Sequence, residues 1–366
     1  MNIFKKWNMG YTKKLAESGD RESAYKMGNY YYEGKIVEQN FAEAVKWYVD
    51  ASRWGSRRVD AERNGGLHVM GTPHPQAAEI LARCYRDGTG IDKNIFYAII
   101  LFGTAFTAAN DRMSGKNKDI LCNSCQKQGG ELLKHLLFEE VNLSDAVMQY
   151  YTGYVCYFYS LRFLPDMTKN DVFEKAMSFF MKSYQNGYAD AAYFISRHIR
   201  YVEKNPVKAL EWLKNGAERG GLVSQYELGD IYRRGEKEME IAEDEDTATE
   251  WYLKVCEHRD ANFFNINYVR NAMKEIGDYY YYGKKDYSKA IQYYKQAIAS
   301  PNPFNPFDNI GDSTATLLGY AYEKVGNKEE ARKLYTIGSS YYGDTFAMSA
   351  LGMNREQIKL ETSGMR

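Results

Sequence analysis

The sequence predicts an all-α fold, an α-solenoid of stacked antiparallel helix pairs, from two observations. First, the segment from Ala24 to Ala51 recurs as the segment from Ala78 to Ala105, with matching residue types at matching positions. Second, each half of this unit carries small and large apolar residues at i, i+3, i+4 and i+7, which places them on one face of a helix. Neither helix can bury that face alone, so the units must stack on one another.

The first helix of the unit follows the pattern small-x-x-large-Gly-x-x-Tyr, as in Ala24-x-x-Met27-Gly28-x-x-Tyr31. A small residue lets a neighbouring helix approach closely, and the large residue fills the seam between the two. Gly34 then ends the helix, because glycine tolerates the positive φ found at helix C-termini.

The second helix follows the pattern Ala-x-x-aromatic-aromatic-x-x-Ala, as in Ala44-x-x-Trp47-Tyr48-x-x-Ala51. The paired pattern returns along the chain, and in its weakest copy Gly153 is the candidate for the repeat glycine. We therefore expect a single solenoid over 1–366, with an N-terminal cap helix over 1–20, two clear repeats over 22–110 with insertions at 53–75 and 110–130, a degenerate repeat over 131–187, four repeats over 188–340 and a C-terminal cap helix over 343–361.

These motifs resemble the SEL-one-like repeat (SLR) family, a close relative of the tetratricopeptide repeats. The long loop KIVEQNFAE between the two helices of the first unit separates this family from the tetratricopeptide class of about 34 residues. The last unit, which ends at Gly338, has a short loop and is similar to a tetratricopeptide repeat. The resemblance implies a right-handed superhelix that holds protein partners, and it says little about activity.

Composition and charge argue against several function classes. Lys and Arg together number 48, as do Asp and Glu, and this balance disfavours generic nucleic-acid binding, which depends on neutralising phosphates. No apolar run approaches the roughly 18 residues of a membrane span, and the N-terminus shows no apolar signal-peptide core. The five cysteines lack the regular spacing of a disulfide framework. We therefore expect a cytoplasmic protein that binds neither nucleic acid nor membrane.

The concave face of the solenoid is the expected binding surface, because repeat proteins commonly bind there. The resemblance to tetratricopeptide geometry places residues six and three before, and one and four after, the repeat glycine on this face. These positions are rich in Tyr and Arg, which are enriched at binding hot spots, and Arg offers forked donors for the carboxylates of an acidic partner segment. The predicted groove residues are Tyr25, Asn29, Tyr32, Arg83, Arg86, Tyr193, Arg197, Arg200, Tyr226, Arg233 and Tyr281, joined by Tyr150, Tyr154 and Tyr157 if Gly153 is the repeat glycine.

The two insertions form a second candidate surface. They occur at the same type of junction, so they should project from the same edge of the solenoid, and long loops are often functional. Trp54, Arg57 and Arg58 in the first insertion are candidate anchors for a partner. The alternative is that the insertions are flexible decoration without a binding role.

Motifs of catalysis and metal binding are sparse. Cys122 and Cys125 form one C-x-x-C pair, which is half of a structural zinc site, and His68, His74 and His135 are further ligand candidates. The sequence lacks the phosphate-binding G-x-x-x-x-G-K-[ST], the nucleophile-elbow G-x-S-x-G and the zinc-binding H-E-x-x-H motifs. We therefore expect ordinary thiols, no cofactor and no enzymatic activity.

The sequence thus favours a non-enzymatic scaffold that holds a protein partner in a Tyr- and Arg-rich groove. Two roles stay open. One is an adaptor or regulator, and the other is an immunity protein that neutralises a bacterial toxin or effector, a role that the resemblance implies because some family members perform it. The alternative class is an enzyme or metal-binding protein with its site at the inserted segments 53–75 and 110–130.

Overall fold

The computed structural model describes residues 3–17, 20–52, 73–138, 145–258, 265–298, 314–342 and 345–352. Over these residues the regular structure is helical, apart from one isolated β-bridge between Glu236 and Ile241. The helices pack as successive antiparallel pairs, each pair against the next. The all-α solenoid predicted from the sequence is confirmed.

The helices of the described residues are numbered here in chain order. They are α1 (Ile3–Glu17), α2 (Arg21–Glu33), α3 (Phe41–Ser52), α4 (Pro75–Asp87), α5 (Ile95–Arg112), α6 (Gly115–Phe138), α7 (Ala146–Phe163), α8 (Lys169–Gln185), α9 (Ala191–Tyr201), α10 (Pro206–Glu218), α11 (Leu222–Arg234), α12 (Glu245–Glu257), α13 (Ile266–Asp278), α14 (Tyr287–Ala297), α15 (Thr314–Lys324), α16 (Lys328–Tyr342) and α17 (Thr345–Ala350). A first helix and a second helix make each pair, and the pairs are α2/α3, α4/α5, α7/α8, α9/α10, α11/α12, α13/α14 and α15/α16.

Single helices cover the two ends of the array. Helix α1 lies where the sequence predicts an N-terminal cap, and it packs against α2. At the other end α17 packs against α16, but the described helix is only Thr345–Ala350, shorter than the cap helix predicted over 343–361. Residues 343–344 and 353–361 of that prediction lie outside the described residues.

Helix α6 is an additional helix between the second and third pairs, and it corrects one expectation. The sequence predicts an inserted loop over 110–130, but α5 continues to Arg112 and α6 begins at Gly115. The polar run and two adjacent glycines pointed to a loop, yet the glycines serve packing, because a Cβ on Gly129 would lie 2.7 Å from the Phe163 ring of α7. The side chains that α6 buries recur at helical spacing: Leu121, Cys122, Cys125, Leu133, Leu136 and Leu137.

A glycine on the first helix receives an aromatic ring from the second helix of the same pair, a contact called here the glycine–ring seat. A Cβ on Gly229 would lie 2.6 Å from Cε1 of Tyr252, so glycine is needed to leave room for the ring. The Tyr252 side chain is 1% exposed and fills the space between the helices. The same contact joins Gly28 to Tyr48, Gly153 to Phe180, Gly277 to Tyr294 and Gly319 to Tyr335.

The first helices of the first two pairs end at a glycine in the left-handed conformation. Gly34 has φ 67° and Gly88 has φ 78°, as the sequence pattern predicts. The sixth pair differs, because residues Tyr279–Lys284 continue α13 as a π-helical turn and Lys285, with φ 55°, takes the left-handed position. This wider turn leaves Tyr282 55% exposed.

Replacing Gly229 with Ala should destabilise the fold by roughly 1–3 kcal/mol, because the added methyl overlaps the buried Tyr252 ring and forces the helices apart. The matched control is Gly10→Ala in α1, where nothing lies within 4 Å of the added Cβ and alanine favours the helix by roughly 0.5–1 kcal/mol. Chemical denaturation followed by circular dichroism measures both variants. Equal stability of the two variants would contradict the glycine–ring seat.

Candidate functional site

The first helices of the pairs form the inner row of the solenoid. Successive first helices approach one another, as between α2 and α4, between α9 and α11, and between α11 and α13. Among the described residues, no two second helices approach as closely. The predicted groove residues that the structure describes lie on first helices or, for Tyr281, on the turn that extends one. The candidate site is the surface of this inner row.

In three pairs, the residue that follows the repeat glycine accepts a hydrogen bond from the second helix. Asn29 accepts a hydrogen bond from the Tyr48 hydroxyl at 2.8 Å, so this predicted groove residue is engaged within its own pair. The equivalent bonds run from Tyr252 to Asp230 at 3.2 Å and from Tyr294 to Asp278 at 2.6 Å. The seventh pair differs, because the residue after Gly319 is Tyr320 and the Tyr335 hydroxyl donates instead to Glu323 at 2.9 Å.

Pairs whose second helix lacks this hydroxyl carry a different residue at the same position. The second, third and fourth pairs have Phe102, Phe180 and Leu213 in place of the tyrosine. Their first helices have Arg83, Tyr154 and Arg197 where the first, fifth and sixth pairs have the acceptor. These side chains contact their own first helix: Arg83 pairs with Glu79 at 3.2 Å, the Tyr154 ring lies 4.7 Å from the Phe158 ring, and Arg197 bonds the Tyr193 hydroxyl at 2.9 Å.

Tyr25 is packed against His74 at the junction of the first two pairs. The two rings stack with centroids 4.2 Å apart, and Nε2 of His74 lies 3.0 Å from Oε2 of Glu22. Nδ1 of the same imidazole accepts the N–H of Ala77 and so caps α4. The hydrogen bond with His74 is the main cause that lowers the pKa of Glu22 to about 2, with Lys26 adding to it and burial opposing it. His74, a metal-ligand candidate in the sequence, instead joins two repeats.

The other predicted tyrosines also pack against aromatic rings. The Tyr32 ring lies 5.2 Å from that of Phe41 and 6.1 Å from that of Tyr48. Tyr150 is only 4% exposed and belongs to the core. The remaining ring contacts join Tyr226 to Tyr252 and Tyr268, Tyr157 to Phe158 and Phe173, and Tyr281 to Tyr282 and Tyr287. The register missed Tyr268 because this residue lies in the first turn of α13, ahead of the selected positions.

The inserted helix α6 covers part of the predicted groove in the second pair. Arg86 donates hydrogen bonds to both carboxylate oxygens of Asp87, each at 2.7 Å. Its Nη1 also donates to Oε1 of Gln128 on α6 at 2.6 Å. Nε2 of Gln128 also contacts Glu79 at 3.3 Å, and Glu79 is 8% exposed. The sequence placed Arg86 correctly on the inner row but did not foresee that an internal helix would bind it.

Carboxylates surround the predicted arginines of the fourth and fifth pairs, with one exception. Arg200 pairs with Glu236, and Arg233 contacts Asp230 at 2.9 Å and Glu275 at 3.3 Å. The exception is Arg197, whose guanidinium has no carboxylate oxygen within 4.0 Å among the described residues. Burial and, next, the nearby Glu227 raise the pKa of Tyr193, and burial raises the pKa of Glu227.

The second candidate surface is largely untested. Trp54, Arg57 and Arg58 lie outside the described residues, as does His68. Cys122 and Cys125 are buried on α6, and burial raises the pKa of both thiols, which disfavours the thiolate that a metal needs. Within the described ranges, no three His, Cys, Asp or Glu side chains are grouped to hold a metal ion. A search of the same ranges finds no helix that is both long and apolar enough to span a membrane.

Six segments of the chain match the family model of the Sel1 repeat. The first four matches correspond to α2/α3, α4/α5, α7/α8 and α9/α10, and the last two correspond to α11/α12 and α13/α14. Helix α6 and the seventh pair lie outside the matches. A search of curated protein sequences gives no significant match. The matched residues are 21–53, 75–109, 146–188, 184–221, 222–260 and 270–302.

Solved structures of similar shape include two Sel1-type proteins. A Sel1 repeat protein from Oxalobacter formigenes is 18% identical, with 95% of this chain and 80% of that chain covered and a TM-score of 0.44. The protective antigen c5321 of uropathogenic Escherichia coli, which displays an SLR fold, is 17% identical, with 98% and 85% covered and a TM-score of 0.38. The immunity protein Pa5087 from Pseudomonas aeruginosa is 15% identical, with 65% and 81% covered and a TM-score of 0.28. At these low scores, the structural likenesses carry no argument of their own.

The matched segments cover more than half of the chain and coincide with its helix pairs. The fold and the inner row therefore define an α-helical repeat protein. The chain belongs to the Sel1 repeat family, as its first-helix and second-helix motifs predict. Sel1 repeats are generally non-catalytic and suggest a protein-interaction scaffold.

Replacing Glu22 with Gln should make stability less dependent on pH between about pH 5 and about pH 2. The folded-state pKa of Glu22 is lowered to about 2 from its ordinary 4.5, so its carboxylate stabilises the fold above the unfolded-state pKa. That contribution is lost as the pH falls through this window. Thermal midpoints of both proteins across the window give the test: their difference should shrink toward the acid end, and a constant difference would disprove the role of Glu22.

Proposed function

We propose that this protein is a non-catalytic scaffold whose inner row of first helices binds a segment of a protein partner. The observation that carries the proposal is the run of partly exposed tyrosines and arginines on consecutive first helices, which extends across the repeats. Tyr and Arg supply rigid contact area and directed hydrogen bonds at low entropic cost. A protein segment laid along the inner row would meet one such group in each repeat.

The charges of the inner row limit how acidic the bound partner segment needs to be. Most of the arginines expected to attract an acidic segment already contact a carboxylate of this chain, as Arg200 contacts Glu236 and Arg233 contacts Asp230. A partner must displace or add to these pairs, so affinity along most of the row comes from ring contacts and hydrogen bonds. The acidic character expected from the sequence is therefore a local preference.

Reversing the charge of Arg83 and Arg197 together should weaken partner binding roughly tenfold or more, because each is an inner-row cation whose loss removes charge-assisted hydrogen bonds worth about 1.5–3 kcal/mol. The full chain is used as bait in a lysate of the host cell, and the retained protein is identified by mass spectrometry. That protein is then purified and titrated against the wild-type chain and the Arg83→Glu, Arg197→Glu variant by calorimetry.

The matched control carries the same two charge reversals on second helices, Lys46→Glu and Lys254→Glu, where both lysines are exposed. This control should bind with wild-type affinity. Equal weakening by both variants, or by neither, would contradict the inner row as the binding surface. Circular dichroism of both variants verifies that the fold is retained.

The same experiment separates the two roles that a scaffold of this kind could have. If the purified partner is a bacterial toxin and loses its activity at a 1:1 ratio with this protein, the role is immunity. If the partner keeps its activity or is recruited to a third protein, the role is that of an adaptor. Both roles use the same inner row.

A further inference from the structure

The position five residues after the repeat glycine, or after the residue that replaces it, is called here the rim of the inner row. Two neighbouring pairs have aromatic side chains at this position. The third pair has Phe158 on α7, and the fourth pair has Tyr201 on α9. Their side chains are 47% and 54% exposed. The flanking pairs have charged residues at this position, Asp87 in the second pair and Arg234 in the fifth.

Two further apolar side chains enlarge this surface. Leu161 lies one turn after Phe158 and is 51% exposed, and Val202 follows Tyr201 and is 50% exposed. The Phe158 ring lies 6.0 Å from the ring of Phe194 on α9, so Phe158 reaches the helix that carries Tyr201. Clustered exposed apolar side chains of this size are typical of interaction sites. Phe158, Leu161, Tyr201 and Val202 are called here the aromatic rim.

Arg197 lies beside the aromatic rim and is held in place by tyrosines. Its guanidinium carbon is 5.6 Å from the centroid of the Tyr193 ring and 5.7 Å from that of the Tyr201 ring, and Nη1 donates to the Tyr193 hydroxyl at 2.9 Å. Burial is the main cause that raises the pKa of Tyr193, with Glu227 near enough to contribute, and burial is also the main cause that raises the pKa of Glu227 itself. Of the described arginines predicted to line the groove, Arg197 alone lacks a carboxylate within 4.0 Å.

We propose that Arg197 and the aromatic rim bind a segment of another protein in which a carboxylate side chain stands beside a large apolar one. This inference rests on the proposed function and specifies where on the inner row the contact lies. The carboxylate completes the charge pairing that the other groove arginines already have, and the apolar side chain covers the exposed rings. The two tyrosine rings fix the guanidinium in advance, which lowers the entropic cost of binding.

The test uses the full-length protein and a phage-displayed library of random dodecapeptides as the probe. Selection on the wild-type protein should enrich peptides that combine Asp or Glu with Phe, Leu, Ile, Trp or Met. A fluorescein-labelled peptide of the enriched consensus is then titrated by fluorescence anisotropy. Binding should weaken roughly tenfold or more in Arg197→Gln and in Phe158→Ser, because each variant removes one of the two contacts.

The matched controls make the same kinds of substitution, of an arginine and of an aromatic residue, on the first helices of other pairs. Arg234→Gln removes an inner-row arginine that is already paired with Asp230 at 2.6 Å, and Tyr282→Ser removes a rim aromatic from the sixth pair. Both controls should bind the peptide with wild-type affinity. All the substituted side chains are at least partly exposed, and thermal melts verify that each variant folds.

The possible outcomes distinguish this inference from the broader proposal. An acidic and apolar consensus whose binding is unaffected by Arg197→Gln and Phe158→Ser overturns the assigned place but leaves the scaffold function standing. A basic consensus overturns the chemistry of the segment. Absence of any enriched peptide counts against peptide binding by the inner row as a whole. Sedimentation that shows a dimer broken by Phe158→Ser identifies the aromatic rim as a contact between two copies and overturns the proposal.

Discussion

The packing of the second helix against the repeat-glycine position of the first is the contact on which the rest of this structure depends, and in five of the seven described pairs it is a glycine–ring seat. The ring of the second helix occupies the space that a Cβ on the first helix would need, as shown by the 2.5 Å between such a Cβ on Gly277 and the Tyr294 ring. This contact sets the separation and rotation of the two helices. Rotation then decides which side chains of the first helix face the core and which face the inner row. Because each repeat contacts its neighbours only, a defect at one seat acts locally.

In three pairs the seated tyrosine also accounts for one polar residue of the inner row. A tyrosine brings a hydroxyl that cannot be buried without a partner, and the first helix supplies Asn29, Asp230 or Asp278 one residue after the glycine. A phenylalanine or leucine brings no such requirement. The position is then occupied by Arg83 or Arg197, whose polar groups point to other contacts. In the pairs of Tyr48, Tyr252 and Tyr294, core packing and one inner-row position thus depend on the same residue choice, whereas Tyr335 of the seventh pair bonds Glu323.

Sequence reasoning succeeded where the determinant is local and failed where it is not. The spacing of Gly28 and Tyr48 within one unit predicts the helix pair and the position of Asn29, because both helices carry their own pattern. Helix α6 does not match the repeat pattern, so no second copy of its sequence helps to identify it as a helix. Its two adjacent glycines pack against Phe163, which is distant in the sequence. Without that contact, the segment could not be distinguished from a loop.

The contacts of the inner-row residues likewise could not be predicted from local sequence patterns. The register selects Arg86 and Arg233, and both lie on first helices, but their partners include residues of other elements, Gln128 of α6 and Glu275 of the next first helix. Such pairings decide whether an arginine is free to bind a partner. In the second pair α6 covers the row, and in the fifth and sixth pairs carboxylates neutralise it. The third and fourth pairs differ because they carry exposed apolar side chains and Arg197, which has no carboxylate oxygen within 4.0 Å among the described residues. The binding capacity of the solenoid is therefore unequal along its length, although its fold is repetitive.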